Sequence, residues 1–111
     1  MKTIRSSSEI SELFDRGRRV HTPHLNLIIL RHEKQHDHDG RVAFIAGKKL
    51  GNAVWRNRAK RRMRALCRDV GGPFDGFDVA FIARRDMDSA PWKDIRSDLA
   101  NALRKAGVGR G

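Results

Sequence analysis

Apolar positions recur along the chain with two periods. Ile10, Leu13 and Phe14 share one face of a helix expected over 7–16. Ser6 and Glu9 stand before it at capping-box spacing, and Gly17 follows as a stop. Three runs read as strands: LNLIILR at 25–31 behind Pro23, RVAFIA at 41–46 and FDVAFIA at 77–83. The stretch HEKQHDHDG at 32–40 is polar and ends in Asp-Gly, a turn signal. The first two strands are therefore expected to pair as a hairpin with a long loop. Asn52 is an N-cap candidate for a long helix over 53–70, closed by Gly71, Gly72 and Pro73. Trp92, Ile95, Leu99, Ala102, Leu103 and Ala106 repeat at helical spacing. Ser89 is expected to cap this last helix, with Pro91 in its first turn and Gly107 at its end. A further short strand is expected near 18–22. The order α-β-β-(β)-α-β-α describes an α+β domain, a small central sheet packed with helices, and 111 residues suit a single domain over 1–111.

The helix over 53–70 carries an unusual charge distribution. At about 100° per residue, Trp55, Ala59, Met63, Leu66 and Val70 fall within an arc of roughly 80°, a narrow seam for burial. Arg56, Lys60 and Arg64 form a stripe beside it, with Asn57, Arg61 and Arg68 adjoining, and Arg58 and Arg62 lie on the opposite flank. From Lys48 to Arg68 there are nine Lys or Arg and no Asp or Glu. Like charges at helical spacing repel by a few tenths of a kcal/mol per pair, whereas an ordinary solvated face alternates sign. An external polyanion relieves that repulsion. The whole chain points the same way: 24 Lys and Arg against 13 Asp and Glu give a net charge of +11. Nucleic acid or an anionic membrane surface fits such a balance. Guanidinium forks match phosphate oxygens, Asn57 can bond a base edge, and Lys48 and Lys49 precede a helix start where free N–H groups also favour anions.

Other chemistry is thin. Cys67 is the one cysteine, so no internal disulfide forms; it suits a reducing cytoplasm and the edge of a core. No apolar run of about 18 residues is present, and the N-terminus lacks the apolar stretch of a signal peptide. His36 and His38 flank Asp37, but no spacing fixes a ligand set with His21, His24 or His32. Asp86 with Asp88, and Asp75 with Asp78, form no acid–base constellation, and Trp92 reads as core by its register. A major-groove DNA reader is disfavoured because the charges surround the helix and no partner helix sits at turn spacing.

The segment KKLGNAVWRNRAKRRMR at 48–64 resembles the signature KKxGxAVxRNRxKRxxR of the protein subunit of bacterial ribonuclease P. The likeness continues through ISELFDRG, RVAFIAGKK and FDVAFIARR. It implies a fold like domain 2 of ribosomal protein S5, with a left-handed crossover through the basic helix, opposite to the general handedness rule. It also implies a role in tRNA 5′ maturation. A large RNA subunit cuts precursor tRNA with Mg²⁺ bound through the RNA, and the protein holds the 5′ leader between the first helix and the sheet. Carried onto matching positions, Phe14, Ile28, Phe44, Arg56, Asn57, Lys60 and Arg64 face the leader. Lys48, Lys49, Asn52, Arg58, Arg61, Arg62 and Arg68 meet the RNA subunit. Ile10 and Ile28 stand where the family has aromatics, which weakens base stacking. The resemblance implies no catalytic residue, metal or cofactor in this chain, and a cytoplasmic protein that is monomeric by itself. A structural RNA-binding protein of ribosomal type, without a role in cleavage, is the alternative that composition alone leaves open.

Overall fold

Eight short segments carry the architecture of the computed structural model, which describes residues 1–33 and 39–108; His36 and His38 lie outside them. They are α1 (Ser7–Arg16), β1 (Arg18–His21), β2 (Leu25–Arg31), β3 (Arg41–Ile45), a 3₁₀ turn (Lys48–Leu50), α2 (Ala53–Asp69), β4 (Phe77–Ala83) and α3 (Trp92–Lys105). The strand expected near 18–22 is β1. No described helix is long and apolar enough to cross a membrane.

The sheet order is β1-β2-β4-β3. β2 does not pair with β3 as the Asp-Gly signal suggests. β4 lies between them, antiparallel to β2 and parallel to β3. The reason is burial on two faces. Leu25, Leu27, Ile28 and Ile29 of β2, and Val79, Ala80, Phe81 and Ala83 of β4, are all buried, so these strands take the centre. β3 pairs on one side with β4, and α2 supplies the crossover that a parallel pair requires. The hairpin that does form is β1–β2, its turn held by Thr22, whose Oγ1 accepts from the Leu25 N–H. Along the outer side of β3 the Ile4 N–H donates to the Val42 carbonyl and the Val42 N–H to that of Lys2.

Strand alternation divides the core. Leu25, Leu27, Ile29, Val42, Val79 and Phe81 face α2 and α3, while Ile28, Ala43 and Ala80 face Leu13 of α1. The α2 seam is buried at Ala59, Met63, Leu66 and Cys67, with Trp55 and Val70 half-buried at its ends. Asn52 caps α2 as expected, its Oδ1 accepting from the Trp55 N–H at 2.9 Å. Cys67, expected at the core's edge, is fully buried; burial pushes its thiol up to about 11 against the opposing pull of Arg68. Ser89 does not cap α3. The Ser89 and Ala90 N–H groups bond to the Asp86 carbonyl in a separate turn, and α3 starts behind Pro91, with no side-chain cap. Gly17 ends α1 in extended backbone, φ −73°, so a left-handed conformation is not its purpose. A Cβ there would sit 2.3 Å from Ile28 Cγ2; the missing side chain lets α1 close onto β2.

The Ser6 Oγ receives the Glu9 N–H, but the Glu9 carboxylate does not turn back to complete the capping box. It pairs with Arg41 at the start of β3. Arg41 also donates through Nε and Nη2 to Asp78 at 3.2 and 2.8 Å, and His32 Nε2 lies 2.7 Å from Asp78 Oδ1. Asp78 is 6% exposed, so the network fixes α1 to the ends of β2, β3 and β4 from a largely dry site. Its two carboxylates hold the Arg41 guanidinium well above its ordinary pKa. Removing Asp78 takes the buried carboxylate from Arg41 and His32 and leaves Glu9 on Arg41, and Asp78→Ala is expected to cost about 2–3 kcal/mol, discounted from the fully buried case because Arg41 is partly wet. That lowers the melting temperature by roughly 10 °C or more in circular dichroism, while exposed Asp75→Ala changes it by little.

Candidate nucleic-acid interface

Docking α2 by its seam sorts its cations by partner. Arg56, Lys60, Arg61, Arg64 and Arg68 form no ion pair among the described residues. Arg58 lies 3.9 Å from Asp88, and its side chain is half exposed, so the pair contributes little. Arg62 departs from expectation. Its Nη1 and Nη2 donate to the Met87 and Ala90 carbonyls at 2.9 and 2.7 Å. It pins the loop before α3 instead of standing free for RNA. Asn52, also expected at the RNA, commits its amide oxygen to the helix cap, and Lys48 and Lys49 are exposed in the turn before it.

The free stripe borders a recess of about 420 Å³ at the β3 edge, where Lys60, Arg64 and Arg68 meet Arg5, Ala43 and Phe44. Four cations and no carboxylate line it. Arg68 therefore continues the Lys60–Arg64 line along the recess, although the family pattern groups it with the residues expected at the RNA subunit. Arg5 was missed by sequence reasoning. Its signal was faint: the alternation in MKTIR becomes legible only once residues 2–4 lie along β3. Phe44 carries the Arg64 guanidinium 5.2 Å from its ring centroid and packs 5.3 Å from Phe81.

Phe14 and Ile28 lie on the other face of the sheet. Phe44, packed with the α2–α3 core, cannot share a single cleft floor with them. Ile28 is 1% exposed beneath α1 and offers no surface to a ligand, a second correction. Half-buried residues on that face are Leu30 and, one row in the other direction from Ile28, Asn26, Ile82 and Ile45, opposite one another across β2, β4 and β3. Asn26 Oδ1 there is buried without a hydrogen-bond partner among the described residues. Phe14 stands nearby in the same cluster, half-buried, with the Arg19 guanidinium 5.5 Å from its ring and bonded to its carbonyl. The expected leader residues thus divide between two surfaces, on either side of the β3 edge. Arg56 is half-buried and Asn57 exposed near the start of α2.

The carboxylates are engaged elsewhere. Asp86 lies 2.8 Å from His24 Nδ1, Asp78 serves the Arg41 network, and Asp88 faces Arg58. No group of three or more His, Cys, Asp or Glu converges among the described residues. What the arrangement offers chemically is phosphate neutralisation, guanidinium forks and a few ring faces, which are the means of RNA binding.

Comparison with known proteins agrees with this geometry. The sequence profile of the family described as Ribonuclease P matches residues 1–107. The ribonuclease P protein component of Gluconacetobacter diazotrophicus is 37% identical over 108 residues, covering 95% of this chain and 90% of that protein. That of Syntrophomonas wolfei is 34% identical over 106 residues, covering 95% and 87%. Among solved structures, the ribonuclease P protein of Staphylococcus aureus superposes with a TM-score of 0.80 at 23% identity, covering 99% of both chains. That of Thermotoga maritima gives 0.76 at 20% identity, covering 95% and 97%; both show the fold. A basic helix held by a buried seam, an RNR segment on its open face and a family match across nearly the whole chain lead to one conclusion: this chain belongs to the ribonuclease P protein family, as a protein component of the RNA-cleaving enzyme that matures the 5′ end of tRNA.

Proposed function

We propose that this chain, acting as one domain in the cytoplasm, binds the ribonuclease P RNA subunit and the 5′ leader of precursor tRNA at the same time. The observation that carries this reading is the line Arg56, Lys60, Arg64 and Arg68, free of ion pairs among the described residues, beside a recess whose charged side chains are all cationic. A single-stranded leader follows such a groove by phosphate contacts and requires little base readout. Arg61 and Arg58, with Lys48 and Lys49, face outward elsewhere around the start and middle of α2 and meet the RNA subunit. Hydrolysis takes place on the RNA, with Mg²⁺ held there.

Purified protein is expected to leave precursor tRNA intact. Added to a cognate RNA subunit, it lowers the Mg²⁺ concentration needed for cleavage; robust cleavage by protein alone would overturn this division of labour. Arg56→Ala with Lys60→Ala is expected to reduce the preference for precursor over mature tRNA about tenfold while leaving assembly with the RNA subunit nearly intact. Arg58→Ala with Arg61→Ala does the reverse. Equilibrium binding of each substrate and of the RNA subunit checks both. For every leader phosphate that a variant no longer neutralises, the slope of log K against log salt flattens by about 0.7, the single-strand value.

A further inference from the structure

Trp92 is 37% exposed at the first residue of α3, the one aromatic among the exposed large apolar side chains of the described residues. Helical register with Ile95 and Leu99 predicts a core position, and the structure does not supply one. Instead the Arg62 guanidinium lies 5.7 Å from the centroid of the Trp92 ring. That guanidinium is not adjustable. Its two terminal nitrogens are held by the Met87 and Ala90 carbonyls, both on the loop that leads into α3. One cation therefore sets the loop and supports the indole, and the ring is fixed in place before any ligand arrives.

We propose that the exposed part of the Trp92 ring is a stacking site for an unpaired base of the RNA subunit, with Arg62 as its positioning residue. The site rests on the reading that the Arg58–Arg62 flank of α2 meets that RNA. Three features select this occupant. Cations outnumber acids around the ring: Arg62 supports it, Lys93 follows it and Arg58 lies one turn before Arg62, with Asp94 in the same first turn of α3. Asp88, half-buried, already faces Arg58. A second copy of the chain would bring a like charge of +11 to the same face, and an apolar peptide would gain one ring and little else. An unpaired base offers both an apolar face for the indole and a phosphate for the surrounding cations. The site lies across the α2 seam from the Lys60–Arg64–Arg68 recess, so it is separate from the leader surface.

Two substitutions in the full chain test the proposal, with the cognate ribonuclease P RNA as probe. Trp92→Leu keeps the charge and removes the ring; Trp92→Phe keeps a smaller ring. Trp92→Leu is expected to weaken binding about 5- to 50-fold with an unchanged salt slope, and Trp92→Phe by no more than about threefold. The chain has two tryptophans, Trp55 and Trp92. RNA should quench the fluorescence of the unsubstituted protein, and the quenched component should be absent in Trp92→Phe. Arg62→Lys keeps the charge but cannot fork two carbonyls, and its affinity should fall between the unsubstituted protein and Trp92→Leu. Melting temperatures within a few degrees of the unsubstituted protein exclude a folding effect for the Trp92 pair. Unchanged affinity and quenching in Trp92→Leu, while the unsubstituted protein binds the RNA and stimulates cleavage, would sink the stacking site alone. Quenching by precursor tRNA without the RNA subunit would assign the ring to another ligand and overturn it as well. An unsubstituted protein that fails to bind the RNA would overturn both this site and the reading beneath it.

Discussion

The burial of one narrow seam governs most of what this protein presents to a partner. Ala59, Met63, Leu66 and Cys67 are fully buried against β3 and β4, and Trp55 fastens one end through its indole N–H to the Arg85 carbonyl at 3.0 Å. A helix with this density of unpaired positive charge is a poor helix in isolation, because tertiary packing must outweigh its self-repulsion. Four small or flexible apolar residues suffice, since none carries a polar group into the core. With the seam held down, the cations have nowhere to go except outward on its two flanks. Charge display and core packing are two consequences of one docking event.

The carboxylates are distributed in a complementary way. Glu9 and Asp78 pair with Arg41, Asp86 with His24, Asp69 with Arg96, and Glu12 and Glu33 with Arg16. None of these carboxylates pairs with a member of the free α2 stripe among the described residues. The acids brace α1, the strand ends and α3, and leave the line from Arg56 to Arg68 without internal neutralisation. A polyanion then meets cations that need not break a prior bond. Arg62 and Arg64 illustrate two further uses of a guanidinium. Arg62 is fixed by backbone carbonyls and supports Trp92, while Arg64 lies over Phe44 and lines the recess.

The sheet's two faces carry different tasks because β4 runs down the middle. On one face it gives Val79, Phe81 and Ala83 to the α2–α3 core; on the other, Ala80 lies beneath α1 and Ile82 is left half covered. Alternation along a single strand thus separates the main core from a partly open surface. Asn26, whose buried oxygen has no partner among the described residues, sits in the row of that open surface.

Much was legible before any fold was known. The α2 limits, its Asn52 cap, its buried seam and its charged flanks follow from spacing and residue type, because helical periodicity and like-charge repulsion are local. β2, β3 and β4 were legible as strands from apolar runs, and β1 only as a further short strand near 18–22. Partnership was not. Which strands lie side by side depends on both faces being buried at once, so β4 displaced the expected β2–β3 hairpin. The same cause moved Phe44 to the face opposite Phe14, hid Ile28 under α1 and gave Arg68 to the recess. Arg62 and Trp92 exchanged the roles their patterns suggested, because a loop with carbonyls to satisfy came within reach of the guanidinium. Sequence alone determined which groups carry charge and which must be buried. Tertiary structure decided which of those charges are already occupied, since a hydrogen-bond partner far along the chain leaves no trace in local spacing.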